Sequence, residues 1–165
     1  MTRKTVEIAL GFLSAVAALA LVVGCPPADG GEPDQFEAQL SGIYEVPPVT
    51  TAASGVAEID IEDGDQAITY RLEAQNITNV VAAHIHVGPE GVNGPIIFFL
   101  FDVVEGPFVS PVTGTLTAAD FIPAGGLATF EDALAAIRAG NTYVNIHTLA
   151  NPMGEIRGQL FEVAN

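Results

Sequence analysis

The chain has 165 residues, with 20 aspartates and glutamates against 5 lysines and arginines, so its formal net charge at pH 7 is −15. So few cations cannot neutralise a row of phosphates or hold anionic lipid, which excludes nucleic-acid binding and polybasic membrane binding. Because 49% of the residues are apolar and nine are phenylalanine, the composition also excludes an acidic disordered tail.

Residues 1–24 have the organisation of a bacterial lipoprotein signal peptide. Arg3 and Lys4 give a positive start, and the uncharged apolar run over residues 8–23 is shorter than the ~20 residues that a membrane-spanning helix needs. The run ends just before Cys25 in a sequence that resembles the cleavage site of a lipid-modified protein. Cys25 is therefore the predicted lipidation site, while an uncleaved short anchor remains the alternative.

Residues 25–34 predict a flexible tether, because they hold proline, glycine, alanine and acidic residues without apolar periodicity. A single domain is expected to follow over residues 35–163. Acylated Cys25 would hold this domain at the membrane of the cell envelope. Pro26, in the place of an aspartate, favours the outer membrane or the cell surface over the inner membrane. With one cysteine in the chain, no internal disulfide can form.

From residue 36 onward, apolar and polar side chains alternate with the period of two that is typical of half-buried strands. The predicted strands cover residues 36–41, 56–62, 68–74, 82–87, 96–103, 112–116, 143–148 and 155–162. About eight short strands predict an all-β fold, an antiparallel Greek-key-like sandwich or barrel. We expect the segment 95–101 to lie centrally in the sheet, since it is apolar on both faces.

Two short helices are predicted in the connections between strands. In the first, Thr117 lies three positions before Asp120, and in the second, Thr129 lies three positions before Asp132. Both spacings are close to a capping box. The second helix is expected to continue to Arg138, with a glycine two residues later to end it.

All three histidines of the chain fall in two predicted strands. His84 and His86 form an H-x-H pair, and alternate residues of a strand project from the same face about 6–7 Å apart along the backbone. His147 lies in a later strand and shares a face with Tyr143 and Asn145. If the two strands are neighbours, the three imidazoles can meet. Neutral nitrogen ligands suit zinc or copper rather than magnesium or calcium.

Other interpretations of the histidines remain open: they hydrogen-bond carboxylates such as Glu155 in a structural network, or they are simply exposed. Glu155, Arg157, Tyr143 and Asn145 are the candidate residues around the three imidazoles. For Arg157, an ion pair with Glu155 or Asp120 is the simpler role. No serine lies in a G-x-S-x-G motif and lipid would consume the single cysteine, so no catalytic residue is predicted.

Three stretches of the domain resemble one protein family. They are residues 40–49 followed by Gly55, the motif Ala83-His84-Ile85-His86-x-Gly88, and residues 140–160, which end in Gly154-Glu155-Ile156-Arg157-Gly158-Gln159-Leu160. Together they are similar to the CHRD domain, which takes its name from chordin and also occurs in exported bacterial proteins. The resemblance covers nearly all of residues 36–162 and implies an immunoglobulin-like or superoxide-dismutase-like β-sandwich. It implies no particular activity.

The same stretches are more distantly similar to Cu/Zn superoxide dismutase. In that family an H-x-H strand supplies two copper ligands and a late turn carries an arginine near the metal, so His84, His86 and Arg157 would match those positions. The chain departs from the family because it lacks disulfide cysteines and an evident bridging histidine. The resemblance therefore does not extend to a second metal site, and the net charge would repel superoxide.

Three functions are compatible with these observations. The first is an envelope-tethered lipoprotein whose domain binds copper or zinc through His84, His86 and His147. The second is a structural or interaction module that binds an envelope protein or a polysaccharide without metal. The third is a redox enzyme of the superoxide dismutase type. Fold analogy alone does not support an enzyme, so we favour a protein without catalytic activity.

Overall fold

The computed structural model describes residues 34–62 and 64–164. The predicted signal peptide, Cys25 and all of the predicted tether except its last residue lie outside this described part. Within the described part, no helix combines the length and the hydropathy needed to cross a membrane.

Antiparallel strands build the domain, as the sequence predicts. They are β1 (Asp34–Ser41), β2 (Ser54–Ile61), β3 (Ile68–Gln75), β4 (Val80–Val87), β5 (Ile96–Asp102), β6 (Val112–Leu116), β7 (Thr142–Thr148), β8 (Ile156–Gln159) and β9 (Phe161–Glu162). Single 3-10 turns follow β1 (Gly42–Tyr44) and β5 (Val103–Glu105). Each predicted strand has a counterpart, and the last one divides into β8 and β9.

One sheet contains all of these strands, in the order β5-β4-β7-β8-β1-β2-β3-β6, with β9 paired to β1. Three neighbouring pairs, β4 with β7, β8 with β1 and β3 with β6, are distant in sequence, which is the Greek-key-like feature of the fold. The two end strands also come close to each other. Tyr70 of β3 reaches across and donates its hydroxyl to the Leu100 carbonyl of β5 at 2.8 Å. The sheet is therefore a nearly closed barrel.

The period of two places one face of each strand inside this barrel. In β4, Ala83 and Ile85 are fully buried in the core, and in β7 Val144 and Ile146 are as well. Burying an isoleucine or valine side chain contributes roughly 1.5–3 kcal/mol, and a slip of one residue would bring polar side chains inward. The core therefore fixes which residues of β4 and β7 lie on the outer face of the barrel.

The predicted second helix is present as α1 (Phe130–Arg138). Thr129 and Asp132 form the predicted capping box: the Asp132 amide donates to Thr129 Oγ1 at 3.2 Å, and the Thr129 amide donates to Asp132 Oδ2 at 3.0 Å. Leu134 and Ile137 are buried in the core. The helix therefore closes one side of the barrel through its apolar face.

The predicted first helix is wrong, because residues 117–120 form only a turn. The Thr117 amide and hydroxyl both donate to the Asp120 carboxylate, at 2.8 and 3.0 Å. The chain then leaves the turn in an extended course, in which the Ile122 amide donates to the Ile97 carbonyl of β5 at 3.0 Å. A capping pattern without a following amphipathic run therefore gives a turn.

The central position predicted for segment 95–101 is also wrong, because β5 is an end strand of the sheet. Its apolar residues have different partners. The Phe98 ring lies 5.7 Å from that of Phe121 and 6.0 Å from that of Phe130, whereas Phe99 is 44% exposed on the outer face. Phe121, in the connection after β6, and Phe130, at the start of α1, thus cover the inner face of β5.

Candidate metal centre

The two strands that carry the histidines are neighbours, as the metal hypothesis requires. In the antiparallel register of β4 and β7, His84 lies opposite Asn145 and His147 lies opposite Ala82. Because the adjacent residues 83, 85, 144 and 146 enter the core, the histidine side chains lie on the outer face of the barrel.

The three imidazoles converge on that face. One ring nitrogen from each of His84, His86 and His147 lies within 4.8 Å of the other two. The closest pair is His84 Nδ1 and His147 Nε2, which are 3.0 Å apart. The structure thus brings together all three residues that the sequence predicts as metal ligands.

Backbone carbonyls fix the tautomers of two rings. His86 Nδ1 lies 2.8 Å from the Gly94 carbonyl, and His147 Nδ1 lies 3.1 Å from the Pro152 carbonyl. A carbonyl oxygen only accepts, so Nδ1 carries the proton in both rings and Nε2 keeps a lone pair. This arrangement is typical of metal-binding histidines, whose second nitrogen donates to a carbonyl or carboxylate.

The environment keeps the rings neutral at physiological pH. Burial, together with the neighbouring rings of His147 and His86, lowers the pKa of His84 to about 3, although Asp102 opposes the shift. Burial also lowers the pKa values of His86 and His147, although their hydrogen bonds to Gly94 and Pro152 oppose it. A metal ion binds the neutral imidazole, so no net proton release is expected at pH 7. Because His147 Nε2 has the lone pair, His84 Nδ1 donates to it, and His84 would have to shift this proton to its Nε2 before Nδ1 could bind an ion.

Several polar atoms of the site are buried without a hydrogen-bond partner among the described residues: His84 Nε2, His86 Nε2 and Asn145 Oδ1. Asn145 is close enough to raise the pKa of His86, but no hydrogen bond of normal geometry joins their side chains. Each unsatisfied buried polar group costs about 1–3 kcal/mol. Atoms of this kind indicate a place where a ligand is missing from the network.

Tyr143, one of the candidate residues around the imidazoles, packs against His86. Its ring stacks on that of His86, with centroids 4.8 Å apart and planes 9° apart. Its hydroxyl accepts from the Gly94 amide at 3.0 Å. The carbon of the Arg157 guanidinium lies 3.4 Å from the centroid of the same ring, a cation–π contact.

Arg157 forms neither of the ion pairs considered from the sequence. It is 2% exposed, and its guanidinium donates to the Val92 carbonyl at 2.9 Å and to Asn93 Oδ1 at 3.1 Å. The carboxylate of Glu155 instead accepts from the Thr148 hydroxyl at 2.6 Å. Asp120 is held in its own turn with Thr117. Arg157 thus fixes the loop that follows β4 rather than pairing with an acid.

Glu155 does not contact the imidazoles either. Its second oxygen accepts from the Thr51 hydroxyl at 2.7 Å, so the carboxylate joins two loops of the barrel. The hydrogen bonds of His86 and His147 end on backbone carbonyls, which excludes the proposed network between the histidines and this carboxylate.

Two residues of the site could not be identified from side-chain chemistry. Gly94 acts through its backbone carbonyl, and a Cβ at this position would overlap the carbonyl oxygen of Val87. Phe99 packs its ring edge-on against His84, with centroids 4.6 Å apart. For Gly94, the only sequence signal is the glycine-rich segment that follows His86. Phe99 could be identified only once it was known which residues of β5 lie on the outer face.

Comparison with known families agrees with the resemblance seen in the sequence. A family model described as the CHRD domain matches residues 36–160, which includes all three histidines and Arg157. No curated protein and no solved structure matches the chain.

Proposed function

The chain belongs to the CHRD domain family, and from the site that this domain carries we propose that the protein binds one transition-metal ion, copper or zinc, through His84, His86 and His147. The observation that carries the proposal is the convergence of the three rings together with the fixed tautomers. Two carbonyls orient the lone pairs of His86 and His147 before any ion arrives. Such preorganisation reduces the cost of ordering the ligands.

The spacing of the nitrogens is compatible with a metal ion after a small adjustment. Ligands of a tetrahedral ion with metal–nitrogen bonds of about 2.0–2.1 Å lie about 3.3 Å from one another. The pair His84 Nδ1 and His147 Nε2 is at 3.0 Å, and the widest separation in the group is within 4.8 Å. Small side-chain rotations that move each ring nitrogen by about 1 Å suffice to equalise these distances.

Copper and zinc are the ions that this ligand set favours. Imidazole nitrogen suits zinc, copper, iron and nickel, whereas magnesium and calcium require oxygen ligands. The three rings supply three nitrogens, and copper and zinc stand at the high end of affinity for such ligands. With three nitrogens from the chain, a tetrahedral ion would have its fourth position open to water or another donor.

Isothermal titration of the purified, chelator-treated protein with Zn(II), Cu(II) and Cu(I) tests the proposal. We expect one ion per chain, and we expect His86→Ala and His147→Ala each to weaken binding by at least about 100-fold. Loss of a residue that only orients a ligand costs about 10- to 100-fold. Leu149→Ala serves as the control, because Leu149 lies just beyond β7 and is 70% exposed.

Binding by the triple alanine variant as tight as that of the parent protein would refute the histidine site. Binding of Ca(II) in preference to both transition metals would refute the choice of ion. Equal losses in Leu149→Ala and His147→Ala would mean that the strand end, rather than the imidazole, determines affinity.

The same proposal places the domain at the cell envelope through acylated Cys25, in the outer membrane or on the cell surface. We do not extend it to dismutase activity. The only arginine near the histidines, among the described residues, is buried beneath the loop after β4 and donates to carbonyls. It is therefore not positioned to attract a small anion from solvent.

A further inference from the structure

A groove on the outer face of β1, β8 and β9 is separate from the three histidines. Its volume is about 710 Å³, within the range of about 300–1,000 Å³ that is typical of small-molecule sites. Its walls carry four apolar side chains that are 42–69% exposed: Ile43, Tyr44, Phe161 and Val163. Exposed apolar side chains that share one concave surface are a feature of ligand-binding grooves.

Two acceptor atoms in the lining of the groove are buried without a partner. Glu45 is 5% exposed and Gln159 is 8% exposed, and the Oε1 atoms of both make no hydrogen bond to the described residues. The amide nitrogen of Gln159 is occupied, since it donates to the carbonyls of Gly88 and Gly140 at 3.0 and 2.8 Å. The Gln159 oxygen, and the Glu45 carboxylate when it is ionised at pH 8, therefore need a hydrogen-bond donor as partner.

The charge of the groove also favours a ligand that donates hydrogen bonds. Four carboxylates line it, those of Glu37, Glu45, Glu90 and Glu162, against the single guanidinium of Arg157. That guanidinium is already engaged with Asn93 and with backbone carbonyls. A ligand that matches the lining is thus positively charged, donates hydrogen bonds at one end and is apolar elsewhere.

We propose that this groove binds a small organic cation, a protonated amine carried on an apolar chain or ring. The ammonium group pairs with the carboxylate of Glu45, and the apolar part packs against Tyr44 and Phe161. The groove uses none of the three histidines, although Arg157 lines it and also packs on Tyr143 beneath His86.

Isothermal titration with octylammonium chloride, 1-octanol and sodium octanoate tests this proposal, because the three probes share one apolar chain and differ in charge. The titrations use the purified protein with a chelator, at pH 8 and 0.15 M salt. At that pH the amine remains protonated, since a primary amine of the lysine type has a pKa near ~10.4. We expect the amine to bind at least about tenfold tighter than the alcohol, and the octanoate to bind most weakly.

Two variants assign the binding to the groove. Glu45→Gln keeps the size of the side chain and removes its charge, so it should weaken amine binding about tenfold and leave alcohol binding unchanged. Phe161→Ser removes an exposed apolar wall outside the core and should weaken binding of both probes. Glu131→Gln makes the same charge change on α1, away from the groove, and should have no effect.

Equal affinity for the amine and the alcohol would overturn the proposal, because the groove would then be merely apolar. Tighter binding of octanoate would overturn it too, as would equal losses in Glu45→Gln and Glu131→Gln. Since the chelator removes metal ions, any of these outcomes would leave the three-histidine proposal standing.

Discussion

Glu45 shows how one buried side chain makes folding depend on pH. Its carboxyl group lies against the Cα of Gly154, where a Cβ would overlap Oε1. Burial raises its pKa from 4.5 to about 7, although the positive charge of Arg157 and a hydrogen bond from the Val46 backbone oppose the rise. The folded protein therefore holds a proton at this position that the unfolded chain releases above pH 4.5.

We predict that Glu45→Gln removes a pH-dependent loss of stability. The folded state binds more protons than the unfolded state between pH 4.5 and about 7, so the stabilisation is complete below pH 4.5 and is lost as the pH rises through 7. At 1.36 kcal/mol per pKa unit, the loss amounts to about 3 kcal/mol. Urea unfolding of both proteins at pH 5 and pH 8 measures it.

The comparison between the two proteins isolates this one group, because all other titrating groups are shared. Wild type should lose about 2–3 kcal/mol more than Glu45→Gln between the two pH values. Parallel pH dependences would show that the carboxyl ionises in the folded state as it does in the unfolded chain.

At the scale of elements, two consecutive residues of β5 lie on opposite faces of the strand, one in the core and one on the outer face. Phe98 is fully buried against Phe121 and Phe130, whereas Phe99 is 44% exposed and contacts His84. Removing a buried phenylalanine side chain costs about 3–5 kcal/mol, and removing an exposed one costs much less.

We therefore predict that Phe98→Ala lowers the free energy of unfolding by about 3–5 kcal/mol and Phe99→Ala by about 1 kcal/mol or less. Urea denaturation of the matched pair measures both values. Similar losses from the two substitutions would mean that β5 does not have the register seen here.

The strand pattern shows which features of the fold follow from sequence. Alternation with a period of two predicted most of the strands, because their alternate residues face the core, and β5 was predicted from a run that is apolar on both faces. It did not predict which strands pair, since neighbours such as β4 and β7 are far apart in the chain. It also misplaced β5, whose inner face is covered by Phe121 of a connection and Phe130 of α1, whereas Phe99 on its outer face is 44% exposed.

The site was predictable to the same degree. Histidines at alternate positions of one strand must share a face, so His84 and His86 could be paired from sequence alone, and His147 joined them only on the condition that β4 and β7 are neighbours. The carbonyls that orient the rings have no side-chain signature, so Gly94 and Pro152 were missed. The partners of Arg157 were wrong for a related reason: they lie in a loop whose course the sequence pattern does not define.

At the scale of the whole molecule, the predicted lipid on Cys25 determines where the domain works. We predict that the wild-type protein incorporates labelled palmitate in cells and that Cys25→Ala does not, because Cys25 is the only thiol of the chain. Metabolic labelling followed by immunoprecipitation measures the incorporation. A wild-type protein that stays in the membrane fraction without label would instead support an uncleaved apolar anchor over residues 8–23.

The outer-face position of the three histidines has a consequence for the stability of the fold with and without the proposed ion. The apolar interior of the barrel is complete without these rings, since Ala83, Ile85, Val144 and Ile146 close it from within. If the site binds an ion as proposed, filling or emptying it would leave the polypeptide architecture intact, unlike small zinc domains that unfold when the metal departs. Such a domain would release its ion without unfolding.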